Sequence, residues 1–141
     1  MGRMNRKKTA ISALIILIVG VLAYAISSQR SDTVSEYRSW TPQQLNQELQ
    51  NKKFVMLNVH TPYEGEIAAT DLFISYDTIT QNTAQLPSDK NTALVVYCRT
   101  GRMSSIAAQT LINLGYRDVT ELKGGMQAWE SSGFKLSTVN R

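Results

Sequence analysis

Apolar positions in this chain form one long unbroken run, then a series of short ones separated by polar turns. The long run, Ala10 to Ile26, carries no charge and follows Arg3, Arg6, Lys7 and Lys8. A helix over it would be roughly 25 Å long, most of a hydrocarbon core of about 30 Å. A basic flank ahead of an apolar segment keeps that end in the cytoplasm, so the remainder is expected on the extracytoplasmic side. Residues 1–28 therefore read as an uncleaved membrane anchor. The alternative is a signal peptide cut after Ala23-Tyr24-Ala25, which leaves a secreted or periplasmic domain.

The short runs alternate in type. Residues 29–39 are polar without apolar period and read as a linker. Thr41-Pro42 supplies an N-cap and a first-turn proline, and Leu45 and Leu49 form the stripe of a short helix ending near Asn51. Phe54 to Val59 is a strand buried on both faces. His60 to Thr70 is a loop, Leu72 to Ile74 a brief strand, and Asp77 is placed to cap a weak helix through Gln85. Ala93 to Tyr97 is the next strand, leading into Cys98. Ser104 to Leu114 is helical, with Ile106, Ala107, Leu111 and Leu114 on one face and Gly115 as its C-cap. Val119 to Leu122 is a strand, and after Gly124-Gly125 a last helix carries Met126 and Trp129 and stops at Gly133. Strands alternating with helices predict an α/β domain over 40–136, a parallel sheet flanked by helices on both faces. Residues 137–141 form a tail.

Charge adds one point. The net +4 resides in the first thirty residues, whose five basic side chains face no acid, leaving ten basic and eleven acidic residues elsewhere. No basic stripe interleaved with aromatics remains, so no nucleic-acid partner is expected. The basic end and apolar run make the membrane the expected partner of the N-terminus.

The candidate chemistry centres on Cys98, the single cysteine. It ends a strand and is followed by Arg99, Thr100, Gly101, Arg102 and Met103 before the predicted helix. Inward N–H groups and the helix dipole at such a place favour an anion, here the reactive thiolate. A buried structural cysteine is the plainer reading, but two arginines and a glycine within four residues weigh against it. With one cysteine there is no internal disulfide to form.

Two segments carry a resemblance. Val95-Val96-Tyr97-Cys98-Arg99-Thr100-Gly101-Arg102-Met103-Ser104 and Leu122-Lys123-Gly124-Gly125-Met126-Gln127-Ala128-Trp129, with Leu111-Ile112-Asn113-Leu114-Gly115-Tyr116 between them, are similar to single-domain rhodanese-like sulfurtransferases. The resemblance covers about residues 40–136. It implies that Cys98 takes sulfane sulfur from a small anionic donor such as thiosulfate, becomes a persulfide, and passes the sulfur to a thiol or cyanide. It further implies that the loop from Arg99 to Met103 binds the donor, with Arg102 and Arg99 attracting it, and that no metal or organic cofactor takes part. The chain departs from the family at Asn58-Val59-His60, where many members have Asp-Val-Arg, and at a contracted Glu64-Gly65-Glu66-Ile67. These changes bear on donor preference and turnover, not on the nucleophile.

Rival chemistries fit less well. A cysteine phosphatase or arsenate reductase needs an arginine six positions after the cysteine, and position 104 is serine. The five-residue loop also suits a sulfur atom rather than a phosphate. A thioredoxin-like enzyme needs a second cysteine. A catalytically weak binding or sensor module is the alternative from another class, although degenerate members of the family usually lose the cysteine. His60, the sole histidine, reads as structural or exposed before it reads as a proton donor. Met126 and Trp129 read as core, and Gly124 and Gly125 as backbone punctuation.

Overall fold

The computed structural model describes residues 36–137. The anchor, the signal alternative and most of the predicted linker lie outside the described residues. Among the described residues no helix is long and apolar enough to cross a membrane.

The elements run β1 (Arg38–Trp40), α1 (Pro42–Leu49), β2 (Val55–Asn58), β3 (Glu66–Ile67), β4 (Leu72–Phe73), β5 (Leu94–Tyr97), α2 (Arg102–Asn113), β6 (Val119–Leu122), α3 (Gly125–Ser131) and β7 (Leu136–Ser137). Five strands form one sheet in the order β1-β6-β5-β2-β4, with every pairing parallel. β3 and β7 form a separate antiparallel pair. The central strand β5 pairs with β2 on one side and β6 on the other, so its residues are buried throughout.

Alternation along these strands divides the core. Leu94, Val96 and Cys98 of the β5 segment join Val119, Ala107, Ala108 and Leu111 beneath α2. Val95 and Tyr97 point the other way, joining Leu45 of α1 and Met126 and Trp129 of α3. The expected parallel sheet with helices on both faces is therefore present. Thr41 caps α1 as expected: its hydroxyl accepts from Gln44 N–H while its own N–H donates to the Gln44 side chain at 2.8 Å.

Five expectations change. β1 straddles the end of the predicted linker, with Arg38 and Ser39 inside it; its three residues are too few to show a period, and pairing with β6 gives them their form. The helix expected from Asp77 is instead two 3₁₀ turns, Ile79–Gln81 and Thr83–Gln85. Asp77 accepts from the Ser75 hydroxyl rather than capping a helix, and β-branched Thr78, Ile79 and Thr80 favour short turns over α-helix. The loop from His60 to Thr70 contains β3, and β7 straddles the predicted start of the tail, with Ser137 its one tail residue. Finally, α2 begins at Arg102, so only Arg99, Thr100 and Gly101 separate it from Cys98. Loop length therefore carries no weight against phosphate chemistry, and Ser104 carries all of it.

Candidate active site

β5 brings Cys98 to the carboxyl edge of the sheet, where ligands of open α/β sheets bind. The next turn is tight because Gly101 adopts φ +99°, a conformation other residues rarely hold. That turn aims the Gly101 N–H at Cys98 Sγ, 3.1 Å away. Cys98 is 1% exposed, so the sulfur sits on the floor of the site.

A second polar layer lies behind it. The Ser104 hydroxyl, from the first turn of α2, is 3.5 Å from Cys98 Sγ and 2.9 Å from Glu121 Oε1 on β6. The same oxygen is 3.0 Å from the Gly101 carbonyl. Ser104 and Glu121 are both buried. Burial raises the Glu121 carboxyl above its ordinary value, and the Ser104 hydrogen bond only partly offsets this. Tyr37 is also raised, first by burial and then by the neighbouring Glu121.

α3 closes the floor from below. Its Met126 and Gln127 N–H groups donate to the carbonyls of Cys98 and Arg99, each at 2.9 Å. This approach requires a glycine at 125, because a Cβ there would lie 2.2 Å from the Cys98 carbonyl oxygen. Gly125 is thus part of the site's support rather than punctuation.

The wall comes from the end of β2. Asn58 is fully buried; its amide donates to the Gly65 carbonyl at 2.9 Å and accepts from His60 N–H at 3.0 Å. An amide can do both, whereas an ionised carboxylate has no proton for the Gly65 carbonyl, which accounts for asparagine here. Tyr97 anchors the same loop by accepting from Ile67 N–H at 3.0 Å and meeting the Thr70 hydroxyl at 2.6 Å. Thr70 gives its own proton to the Ile67 carbonyl, so Tyr97 donates to Thr70. Burial raises the Tyr97 phenol well above its ordinary value and keeps that donor protonated.

The predicted donor-binding residues divide. Arg99 lies between two carboxylates, Glu64 at 3.5 Å and Glu130 at 3.6 Å, so much of its charge is compensated. Arg102 is exposed on the first turn of α2 and makes no ion pair among the described residues. Thr100 is exposed, and Met103 is half-buried and packs against the core under α2. His60 is buried, not exposed; neither ring nitrogen has a hydrogen-bond partner, and Nε2 lies 3.4 Å from Glu64. A cavity of about 450 Å³ lined by Trp40, Lys53, Phe54 and Asp118 opens at the opposite strand ends, away from Cys98. Ser104 and Glu121 were not singled out as site residues by sequence. The available signal was an acid inside a strand that is otherwise suited to full burial.

The rhodanese-like domain family matches residues 41–132. The chain belongs to that family. It is 32% identical over 96 residues to a sulfurtransferase of Allochromatium vinosum, covering 65% of this chain and 87% of the relative. An uncharacterized Synechocystis protein is 32% identical over 117 residues, 82% of this chain and 60% of that one. The chain thus spans less than two thirds of that Synechocystis relative. Among solved structures, a rhodanese-like domain protein of Staphylococcus aureus superposes with TM-score 0.60 at 28% identity, over 72% of this chain and 99% of that one. A rhodanese-related protein of Thermoplasma volcanium gives 0.61 at 25% identity, over 71% and 97%.

Proposed function

We propose that this protein moves sulfane sulfur from a small anionic donor such as thiosulfate to a thiol or cyanide through a persulfide on Cys98. The observation that carries this reading is the sulfur of the single cysteine at a strand end, held by the Gly101 N–H at 3.1 Å. The Cys98 thiolate attacks the outer sulfur of thiosulfate, a new S–S bond forms, and sulfite leaves with the electrons of the old one. Gly101 N–H stabilises the sulfur anion, and exposed Arg102 draws the donor in. Cyanide then takes the outer sulfur as thiocyanate and returns the Cys98 thiolate.

The test is thiocyanate production from thiosulfate and cyanide, with mass spectrometry for one added sulfur on Cys98. Wild type is expected to give both signals and Cys98→Ser neither. No thiocyanate and no sulfur gain with several donors would defeat the reading. A second reading, a weakly catalytic binding or sensor module, draws on the 1% exposure of Cys98 and on Glu64 and Glu130 flanking Arg99. Sulfur loading without turnover would favour it.

The basic flank and apolar run from Ala10 to Ile26 support a membrane-anchored domain on the extracytoplasmic side. Protease added outside cells, after any outer membrane is permeabilised, is expected to cut beyond Arg30. Protection would reverse the orientation. A mature chain beginning at Ile26 would replace the anchor with a cleaved signal.

A further inference from the structure

Cys98, Ser104 and Glu121 come from the β5 end, α2 and β6 and converge on one face of the sheet. They are 1%, 0% and 8% exposed. Ser104 has one proton to give and three acceptors around it, Glu121 Oε1 at 2.9 Å, the Gly101 carbonyl at 3.0 Å and Cys98 Sγ at 3.5 Å. Donated to the Glu121 carboxylate, it leaves the hydroxyl oxygen free to accept from the Cys98 thiol. Donated to a Cys98 thiolate, it leaves that oxygen to accept from a protonated Glu121. Each arrangement places one negative charge in the pocket. Ionising both groups would set two like charges on either side of one hydroxyl in a water-poor interior, which is costly. Glu121 has no ion pair among the described residues to relieve it, and Tyr37, beside Ser105, is the other titratable group that bears on it.

We propose that Ser104 relays a proton between Cys98 and Glu121, so that the buried carboxylate takes the thiol proton and the thiolate forms without a second charge. The inference rests on Cys98 as the nucleophile of the transfer described above. In the loading step the Cys98 S–H bond breaks and its proton passes to Ser104 as Ser104's own proton passes to Glu121. The freed pair on sulfur attacks the outer sulfur of thiosulfate, and sulfite departs. The pocket's single charge moves from the carboxylate to the persulfide. When cyanide removes the outer sulfur as thiocyanate, the proton returns and restores the Cys98 thiol and the Glu121 carboxylate. Glu121 touches neither donor nor acceptor and is a positioning residue acting through Ser104. Its raised carboxyl agrees with a proton store.

Cys98 is the only cysteine, so intact-mass kinetics of iodoacetamide alkylation report on it alone. The full chain in detergent, with Glu121→Gln and Ser104→Ala, is alkylated between about pH 5 and pH 10, a span that resolves coupled groups. Wild type is expected to rise in two steps, with reactivity already present on the acid side. Glu121→Gln removes the like charge; it is expected to show one step and to react about tenfold faster between the two wild-type steps, the factor carried by one unit of coupling. Ser104→Ala keeps the carboxylate, lacks the bridging hydroxyl and is expected to lose the acid-side step. Circular dichroism melting identifies any variant that fails to fold, and the other then carries the comparison. A single-step wild-type profile overturns the relay without any variant. Folded variants that superimpose on wild type also overturn it, and the transfer reading survives if wild type still gains sulfur from thiosulfate. A wild type that neither alkylates nor gains sulfur sinks both.

Discussion

The ends of β5 and β2 lie side by side at the site, yet they are built to different standards. At the β5 end, Cys98, Ser104 and Glu121 are buried and joined by hydrogen bonds, and α3 holds the Cys98 and Arg99 carbonyls from below. At the β2 end, Asn58 fixes the backbone and Tyr97 reaches across from β5 to hold the loop that follows, but the outer side chains meet loosely. His60, Arg99, Glu64 and Glu130 approach at 3.4 to 3.6 Å, and both acids are nearly half exposed. A nucleophile needs a fixed environment. A wall that admits a donor and then an acceptor tolerates movable charges whose pairing water can replace.

Substitutions that break the rigid side should have the largest effects. Gly125→Ala drives a Cβ into the Cys98 and Arg99 backbone and is expected to destabilise the domain by about 3 kcal/mol or more, with loss of transfer activity. Denaturant unfolding reads the first effect; an unchanged midpoint would mean that α3 can retreat without cost.

Tyr97→Phe tests the link between the two regions. It strands the buried Ile67 N–H and is expected to cost about 1–3 kcal/mol. Limited proteolysis between Pro62 and Thr70 should quicken more than cleavage in α2. Equal quickening in both places would show that the phenol supports the whole domain rather than this loop.

On the movable side, Arg102→Ala is expected to raise KM for thiosulfate about threefold to tenfold with kcat little changed, as befits an exposed unpaired charge. Arg99→Ala should move KM less, because Glu64 and Glu130 already compensate that guanidinium. The reverse ranking would mean that the donor displaces the two acids and binds Arg99 directly.

The smallest effect concerns pH. Glu121 holds its proton more tightly folded than unfolded, so its contribution to stability is complete in acid and declines as pH rises through its raised value. Glu121→Gln removes the decline. The melting temperature of the variant relative to wild type should therefore rise as pH climbs above the ordinary carboxylate range, about pH 4. A difference that falls with pH would contradict the buried carboxyl.

Much of the rigid side was legible as sequence. β5, Cys98 and the Gly101 turn are local features, recorded in an apolar run, a breaker and a helical period. The 77–85 segment was misread for a local reason as well, since a single acid suggested a cap that β-branched neighbours do not support. β1, β3 and β7 left no trace because two or three residues cannot display a period; their partners give them their form. Glu121 was visible as an acid in a buried strand, but its partner was not, because Ser104 lies seventeen positions away in chain.

Local sequence was enough to place Cys98 at the end of a buried strand, a glycine turn after it, and alternating strands and helices around both. Periodicity and turn chemistry act over a few residues, and a few residues suffice to state them. Folding in three dimensions was needed to put Ser104 and Glu121 behind the sulfur, to bring α3 to its carbonyl through Gly125, and to share Arg99 between two acids. Those facts depend on which elements the sheet order sets side by side, and parallel pairing joins residues that the chain keeps far apart.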